Sequence, residues 1–328
     1  MDNVLVVNRL GIGDTVLTTP LAQAIKQYTP NARVGFVVSS KSADLLKNHP
    51  YIDDVFAYQK NMIHEIIRQI QENKYTNALI VDERLTSSFL AWRAGCKLSN
   101  VGKVISIFGR RWLNPKQESA KTAIQHYMEY MKYVSKNYRY QYIPPIIGGI
   151  SDEDSNKIIN WLSKIKKKVG KKILVIPRGI AENKNWPIEY FGVVNECLNC
   201  QGIVPIYTGA KQDEEYINSI SGEKINIAGK FNLRELAVLT KQMDISIAVC
   251  TGPMHIAATA KIPIIVLYGP TDPSYWAPLH ATIVKANNAP CQMCKSTHCR
   301  YETKYDCMHQ LTPDMVIEQI NNLLETEH

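Results

Sequence analysis

The first 85 residues alternate short apolar runs with stretches whose apolar positions recur at helical spacing. The apolar runs are VLVVN (4–8), ARVGFVVS (32–39), VFAY (55–58) and NALIVDE (77–83). Between them, a stretch near 15–28, KSADLLKNH (41–49) and MIHEIIRQIQENK (62–74) carry the helical pattern. Such an alternation, with turn residues at the boundaries, predicts βα units on a parallel sheet. PPIIGGISDEDS (144–155) interrupts it with prolines, glycines and an acidic run, and predicts an interdomain linker with Ser151 or Asp152 capping the next helix. The pattern then restarts. Strands are predicted in KKILVIPRG (171–179), GIVPIYTG (202–209), INIAG (225–229), ISIAVCTG (245–252) and IPIIVLYGP (262–270), with helices from about Pro187, near 212–220, near 232–241 and after 252. TPDMVIEQINNLLE closes the chain with apolar residues at helical spacing.

The fold class predicted is therefore α/β, with two Rossmann-like parallel-sheet domains, 1–148 and 149–328, the last helix packing back on the first domain. Two such domains facing each other would place ligands in a central cleft at the carboxyl ends of their strands. A chain of 328 residues is long enough for two ordinary cores. No apolar run reaches the roughly 18 residues of a membrane span, and MDNVLVVNRL lacks a basic leader and cleavage site, so a cytoplasmic protein is expected.

Charge adds an asymmetry. The net charge is +8, and residues 1–150 hold 19 Lys and Arg against 11 Asp and Glu, whereas 151–328 are balanced at 19 each. A basic half-molecule suits an anionic partner, whether nucleic acid, an acidic membrane surface or a phosphorylated substrate, though a solvated basic surface needs none.

VLVVNRLGIGDTVLTTP runs from a strand through a glycine-bracketed turn into a helix. A dinucleotide fingerprint requires a third glycine, but Val16 stands there, and the second strand ends in serines where an acidic residue is needed. A phosphate-binding Walker loop is excluded by the missing G-K-[ST]. What remains is Asp14, either a helix cap accepting an amide hydrogen bond or a general base held by a tight turn; a capping carboxylate keeps its second oxygen free, so the two roles are compatible. In the second half, Thr251-Gly252-Pro253 precedes a small-residue helix. Thr as N-cap, Pro in the first turn and Gly for close approach describe an ordinary helix start or a diphosphate site at a dipole end, with His255 as a phosphate contact.

RLGIGDTVLTTPLAQAIK resembles the amino-terminal signature of glycosyltransferase family 9, the ADP-heptose:lipopolysaccharide heptosyltransferases. NKNWPIEYF (183–191), IYTGAKQDEE (206–215), CTGPMHIAATAKIP (250–263), YGPTDPSYWAP (268–278) and the terminal cysteine run follow in order, over about 300 residues. The resemblance implies the two-domain GT-B fold, an acceptor-binding first domain and a nucleotide-sugar-binding second one. It also implies Asp14 as catalytic base, with Gly13 on the acceptor side. On the donor side it implies Lys184 at the diphosphate, Phe231 against adenine, Asp213 at ribose hydroxyls, and Thr208, Gly209, Thr251, Gly252, Pro253, Met254 and His255 in the remaining contacts. The sequence departs from the family pattern twice. Cys250 replaces an acidic residue that would touch the donor sugar, and Pro177-Arg178-Gly179 replaces the usual strand end, so that Arg178 adds charge at the diphosphate.

Cys291, Cys294, Cys299 and Cys307 lie within 17 residues, with His298 and His309 nearby. Such a set could form a tetrahedral structural site for zinc or iron, or serve as reduced packing thiols; Cys197 and Cys200 read as packing. No metal is needed for catalysis under the family reading, because Lys184 would neutralise the leaving group.

The expected reaction is transfer of a heptose, with inversion, from ADP-heptose to Kdo or heptose of a lipid A-linked inner core. Arg110 and Arg111 in SIFGRRWLN (106–114) would meet the anionic glycolipid at the cytoplasmic face of the inner membrane. A monomer that binds no nucleic acid is expected. The alternatives are a GT-B transferase or epimerase for another nucleotide sugar and, more remotely, a nucleic-acid binding protein with a metal knuckle.

Overall fold

The computed structural model describes residues 3–100, 122–165, 171–296 and 298–325. Two compact units divide the chain, Met1–Gly149 and Ile150–His328. Each carries a parallel sheet.

In the first unit, β1 (Val4–Asn8), β2 (Val34–Ser39), β3 (Asp54–Tyr58), β4 (Asn77–Ile80) and β5 (Lys97–Leu98) lie in the order β3-β2-β1-β4-β5. Val4 of β1 faces Val34 on one side and Asn77 on the other, so β1 is central and buried throughout. The order reverses between β1 and β4, which puts a crevice at their carboxyl ends, where open α/β sheets bind ligands. Helices α1 (Ile12–Tyr28), α2 (Ile63–Glu72), α3 (Leu85–Arg93) and α4 (Ala123–Met128) connect or cover these strands. Where a helix was expected over 41–49 the chain makes only a short 3-10 turn at Ala43–Leu46, and Asn48 in the left-handed region stops it. The strand expected to reach residue 83 stops at Ile80, and Glu83 has φ +54°, turning the chain toward α3. α3 and β5 were not foreseen.

In the second unit the strands are β6 (Ile173–Ile176), β7 (Ile206–Tyr207), β8 (Ile225–Asn226), β9 (Ile245–Val249), β10 (Ile264–Tyr268) and β11 (Ala281–Lys285), in the order β11-β10-β9-β6-β7-β8. Here the reversal falls between β6 and β9. The helices are α5 (Asp152–Ile165), α6 (Ile188–Cys200), α7 (Glu214–Ser219), α8 (Leu233–Thr240), α9 (Gly252–Ala258), α10 (Pro273–Trp276), α11 (Asp306–His309) and α12 (Pro313–Glu325). Trp186, Phe191 and Tyr207 anchor one core layer, into which Val316 and Ile320 of α12 pack. Within this unit α12 packs on α6, β10 and β11.

The junction is more structured than its proline and glycine content suggested. The Ile146 amide donates to Thr19 Oγ1 at 3.1 Å, and Gly148 and Gly149 donate to the Leu45 and Asn48 carbonyls at 2.6 and 2.9 Å. Ser151 then caps α5: its Oγ accepts from the Asp154 amide at 3.1 Å while Asp154 Oδ2 accepts the Ser151 amide at 3.1 Å. Among the described residues, no helix is long and apolar enough to cross a membrane.

Candidate functional site

Asp14 occupies the third position of α1, not the cap itself; the cap is Gly11, in extended backbone. The Asp14 side chain reaches back so that Oδ2 accepts the Gly11 amide at 3.2 Å. Its other oxygen is also engaged, because the Tyr127 hydroxyl donates to Oδ1 at 2.6 Å. The second oxygen is therefore not free, which corrects the sequence reading, although each carboxylate oxygen has a further lone pair. Tyr127 is 4% exposed and sits on α4, which packs on α1. Neither Gly11 nor Gly13 adopts a positive φ. The turn needs no left-handed glycine, since the helix starts directly after the strand, and Gly13 is buried in its first turn.

A buried network fixes the start of this loop. The Arg9 amide and Nε both donate to Asp82 Oδ2, at 3.2 and 3.3 Å. Its Nε also donates to Ser87 Oγ at 2.8 Å, and its Nη2 to Thr86 Oγ1 at 2.5 Å. The Tyr58 ring lies 4.3 Å from the guanidinium carbon. The carboxyl ends of β1 and β4 are thus tied together, as a buried cation requires if it is not to stand unpaired. Beside them the Tyr130 hydroxyl donates to Glu83 Oε1 at 2.6 Å. Sequence reasoning missed Tyr127, Arg9 and Asp82. Asp82 could have been noticed as a polar residue at a strand's carboxyl end, but nothing local announces Tyr127, 113 residues from Asp14. Arg110 and Arg111 lie outside the described residues.

The second unit gathers its candidates on one edge of its sheet. Arg178, Gly179 and Lys184 follow β6; Thr208, Gly209 and Asp213 follow β7; Phe231 follows β8; Cys250 to His255 follow β9. Gly179 has a steric reason: a Cβ there would come within 3.1 Å of Thr251 Oγ1. Its amide donates to Asn185 Oδ1 at 2.8 Å, shaping the loop that carries Lys184. Thr251 is the N-cap of α9 by backbone conformation, yet its side chain makes no capping hydrogen bond. Its hydroxyl is directed at the Gly179 approach instead, a departure from the expected cap.

His255 is buried, and burial together with the nearby Lys184 charge pushes its pKa down to about 3. It is a neutral imidazole at physiological pH, able to donate one N–H but carrying no charge of its own. Burial pushes the Cys250 thiol up, so the position offers no negative charge where an acidic residue was expected, and the Lys184 ammonium only partly opposes that shift. Met254 is buried beneath this turn, with the Tyr268 hydroxyl 3.9 Å from its sulfur.

Arg178 and Asp213 meet each other, Nη1 to Oδ1 at 3.5 Å, and the guanidinium carbon lies 5.1 Å from the Tyr216 ring centroid. Asp213 also accepts the Ala210 amide at 2.8 Å, so it organises its own turn as well as pairing with Arg178. Phe231 is half-buried, edge-on to Trp161 at 5.2 Å, with Lys157 Nζ 5.7 Å from its centroid.

The four late cysteines differ in burial. Cys291 and Cys307 turn into the core beside Met308, while Cys294 is exposed. The Cys307 amide donates to Cys291 Sγ at 3.2 Å, and burial with the adjacent Cys291 pushes the Cys307 thiol up to about 12. Among the described residues no group of three or more His, Cys, Asp or Glu side chains is placed to hold a metal ion. Two of these thiols, Cys291 and Cys307, pack as core.

Comparison with known proteins follows the same outline. The model of glycosyltransferase family 9 (heptosyltransferase) matches residues 63–305. The chain is 25% identical to lipooligosaccharide heptosyltransferase 2 of Haemophilus influenzae, over 98% of this chain and 99% of that protein. It superposes on ADP-heptose lipopolysaccharide heptosyltransferase II of Escherichia coli with a TM-score of 0.79, at 18% identity and 99% coverage of each chain. It superposes on the E. coli heptosyltransferase WaaC, solved with ADP-2-deoxy-2-fluoro heptose, with a TM-score of 0.71 at 18% identity, covering 98% of this chain and 99% of that one. At such identities the structural likeness speaks to the fold.

Proposed function

The chain belongs to glycosyltransferase family 9, the heptosyltransferases, and on that premise we propose that it moves a heptose from an ADP-activated donor to the inner core of lipopolysaccharide. The acceptor sugar is Kdo or a preceding heptose, and the reaction inverts the anomeric carbon. Asp14 takes the proton of the acceptor hydroxyl as its oxygen attacks that carbon; the bond to ADP breaks, and its electron pair leaves on the diphosphate. The observation that carries this reading is the half-buried Asp14 carboxylate, fixed by the Gly11 amide and the Tyr127 hydroxyl at the carboxyl end of the central strand. A general base must be held within reach of the proton it removes, and such help is typically worth about 10²–10⁴ in rate.

The donor belongs to the second unit. Lys184 supplies a point charge to the departing diphosphate, and Arg178, partly compensated by Asp213, adds a second. Neutral His255 donates to a phosphate oxygen, and the amides that start α9 do the same. Phe231 offers a ring edge to the base. With these cations at the leaving group, the reaction runs without a metal ion. The acceptor is lipid-linked, so the enzyme works at the cytoplasmic face of the inner membrane.

Calorimetry with ADP, UDP and GDP, followed by turnover of ADP-heptose, tests the donor. ADP is expected to bind at least about tenfold more tightly than the other two and Lys184→Ala to lose most of that affinity, as removal of a charge-assisted contact does. Equal binding of all three nucleotides, or an undiminished ADP affinity in Lys184→Ala, contradicts it.

A further inference from the structure

α3 presents to solvent what a core helix would hide. Leu85, Phe89 and Trp92 fall at successive helical turns on one face and are 46%, 59% and 61% exposed. The opposite face, with Ser87, Ser88, Leu90 and Ala91, is buried. The Phe89 and Trp92 rings lie 5.9 Å apart, so the apolar surface is continuous and not scattered. From 84 to 97 the chain reads RLTSSFLAWRAGCK, with Arg84, Arg93 and Lys97 all exposed and no carboxylate.

This combination selects among occupants. A second copy placed on the same face would bring like charges together with no acidic side chain in the stretch to answer them. An anionic lipid surface answers them directly, while aromatic rings and aliphatic side chains enter the boundary between headgroups and acyl chains. The helix spans nine residues, too few to cross a bilayer but enough to lie on one. Its location gives the contact a purpose. Arg9, five residues before Asp14, bonds Thr86 and Ser87 in the first turn of α3, so the exposed face is fixed to the segment that carries the base.

We propose that the outer face of α3 seats the enzyme on an anionic phospholipid surface, with Leu85, Phe89 and Trp92 in the interface and Arg84, Arg93 and Lys97 on lipid phosphates. Its purpose rests on the lipid-linked acceptor of the proposed function, but the contact itself requires neither donor nor acceptor.

Flotation of the full-length protein with vesicles of phosphatidylglycerol and phosphatidylethanolamine, against phosphatidylcholine alone, tests it. Partition to the anionic vesicles is expected to exceed that to the zwitterionic ones about tenfold and to fall with salt. Phe89→Ser/Trp92→Ser and, separately, Arg84→Glu/Arg93→Glu are each expected to lower it about tenfold or more, with thermal midpoint and turnover of a delipidated core acceptor unchanged. Wild-type protein that ignores anionic vesicles, or a Phe89/Trp92 variant that floats as wild type does, overturns the proposal. So does a wild-type dimer that the Phe89/Trp92 variant dissociates, since that gives the face to a second copy. Vesicle binding that survives alongside absent heptose transfer would instead remove the proposed function and leave this surface standing.

Discussion

Asp14 has each carboxylate oxygen committed to a different donor, and the two donors differ in kind. The Gly11 amide is backbone and part of the helix start, whereas the Tyr127 hydroxyl is a side-chain group that arrives from α4. A hydroxyl donating to a carboxylate is typically worth about 1.5–3 kcal/mol, and its work here is to hold Oδ1 in place. Tyr127→Phe is therefore expected to lower kcat about tenfold with little change in either KM. Combined with Asp14→Asn it is expected to add no further loss, because the group it positions is already gone. Steady-state kinetics of the two single variants and the double variant decide this; full additivity would show that Tyr127 acts elsewhere. His255 makes a second residue-scale point. The sequence suggested a phosphate contact at a dipole end, and burial with the Lys184 charge restricts that contact to a neutral N–H donor.

Most elements were legible because buried parallel strands leave an unmistakable trace. β1, β9 and β10 are buried at every position, and each appears in the sequence as a mainly apolar run, broken in β9 by Ser246, that ends in glycine or polar residues. The loops that follow β6, β7, β8 and β9 could be named in advance for the same reason, since a strand's end fixes where its loop begins. What failed to show was whatever tertiary context decides. α3 reads as LTSSFLAWR, and because its large side chains face outward its apolar pattern does not mark a core face. β5 is two residues long, too short for any period. Residues 41–49 have helical composition, but Asn48 at φ +57° and the pinning of Gly148 and Gly149 against Leu45 and Asn48 leave only one turn of 3-10 helix. The cysteines carried a real ambiguity: their spacing permits either a metal or packing thiols, and the structure adds that Cys291 and Cys307 are buried against Met308.

At the scale of the whole molecule, two buried histidines link stability to pH. Burial holds His49 at a pKa of about 4, and burial with Lys184 holds His255 at about 3. Both lie below the value of about 6.5 they regain on unfolding, so between about pH 6.5 and pH 4 the unfolded chain binds more protons and stability falls as pH falls. From pH 7.5 to 5.5 each contributes a loss of roughly 1 to 2 kcal/mol by this linkage. Urea unfolding at the two pH values is expected to show a drop of roughly 3 kcal/mol, reduced by about half in His49→Gln; a flat profile would mean these imidazoles are charged in the fold. The charge surplus of residues 1–150 acts at this scale too: under the proposed function it would draw an anionic acceptor toward the unit that holds Asp14, and the balanced second half would leave donor recognition to local groups. The central claim is that Asp14 removes the acceptor proton, and it is tested most directly by the rate of ADP release from ADP-heptose with a core acceptor, wild type beside Asp14→Asn. The account predicts a fall of about 10²–10⁴ with ADP affinity and thermal midpoint unchanged; turnover within a few-fold of wild type would contradict it.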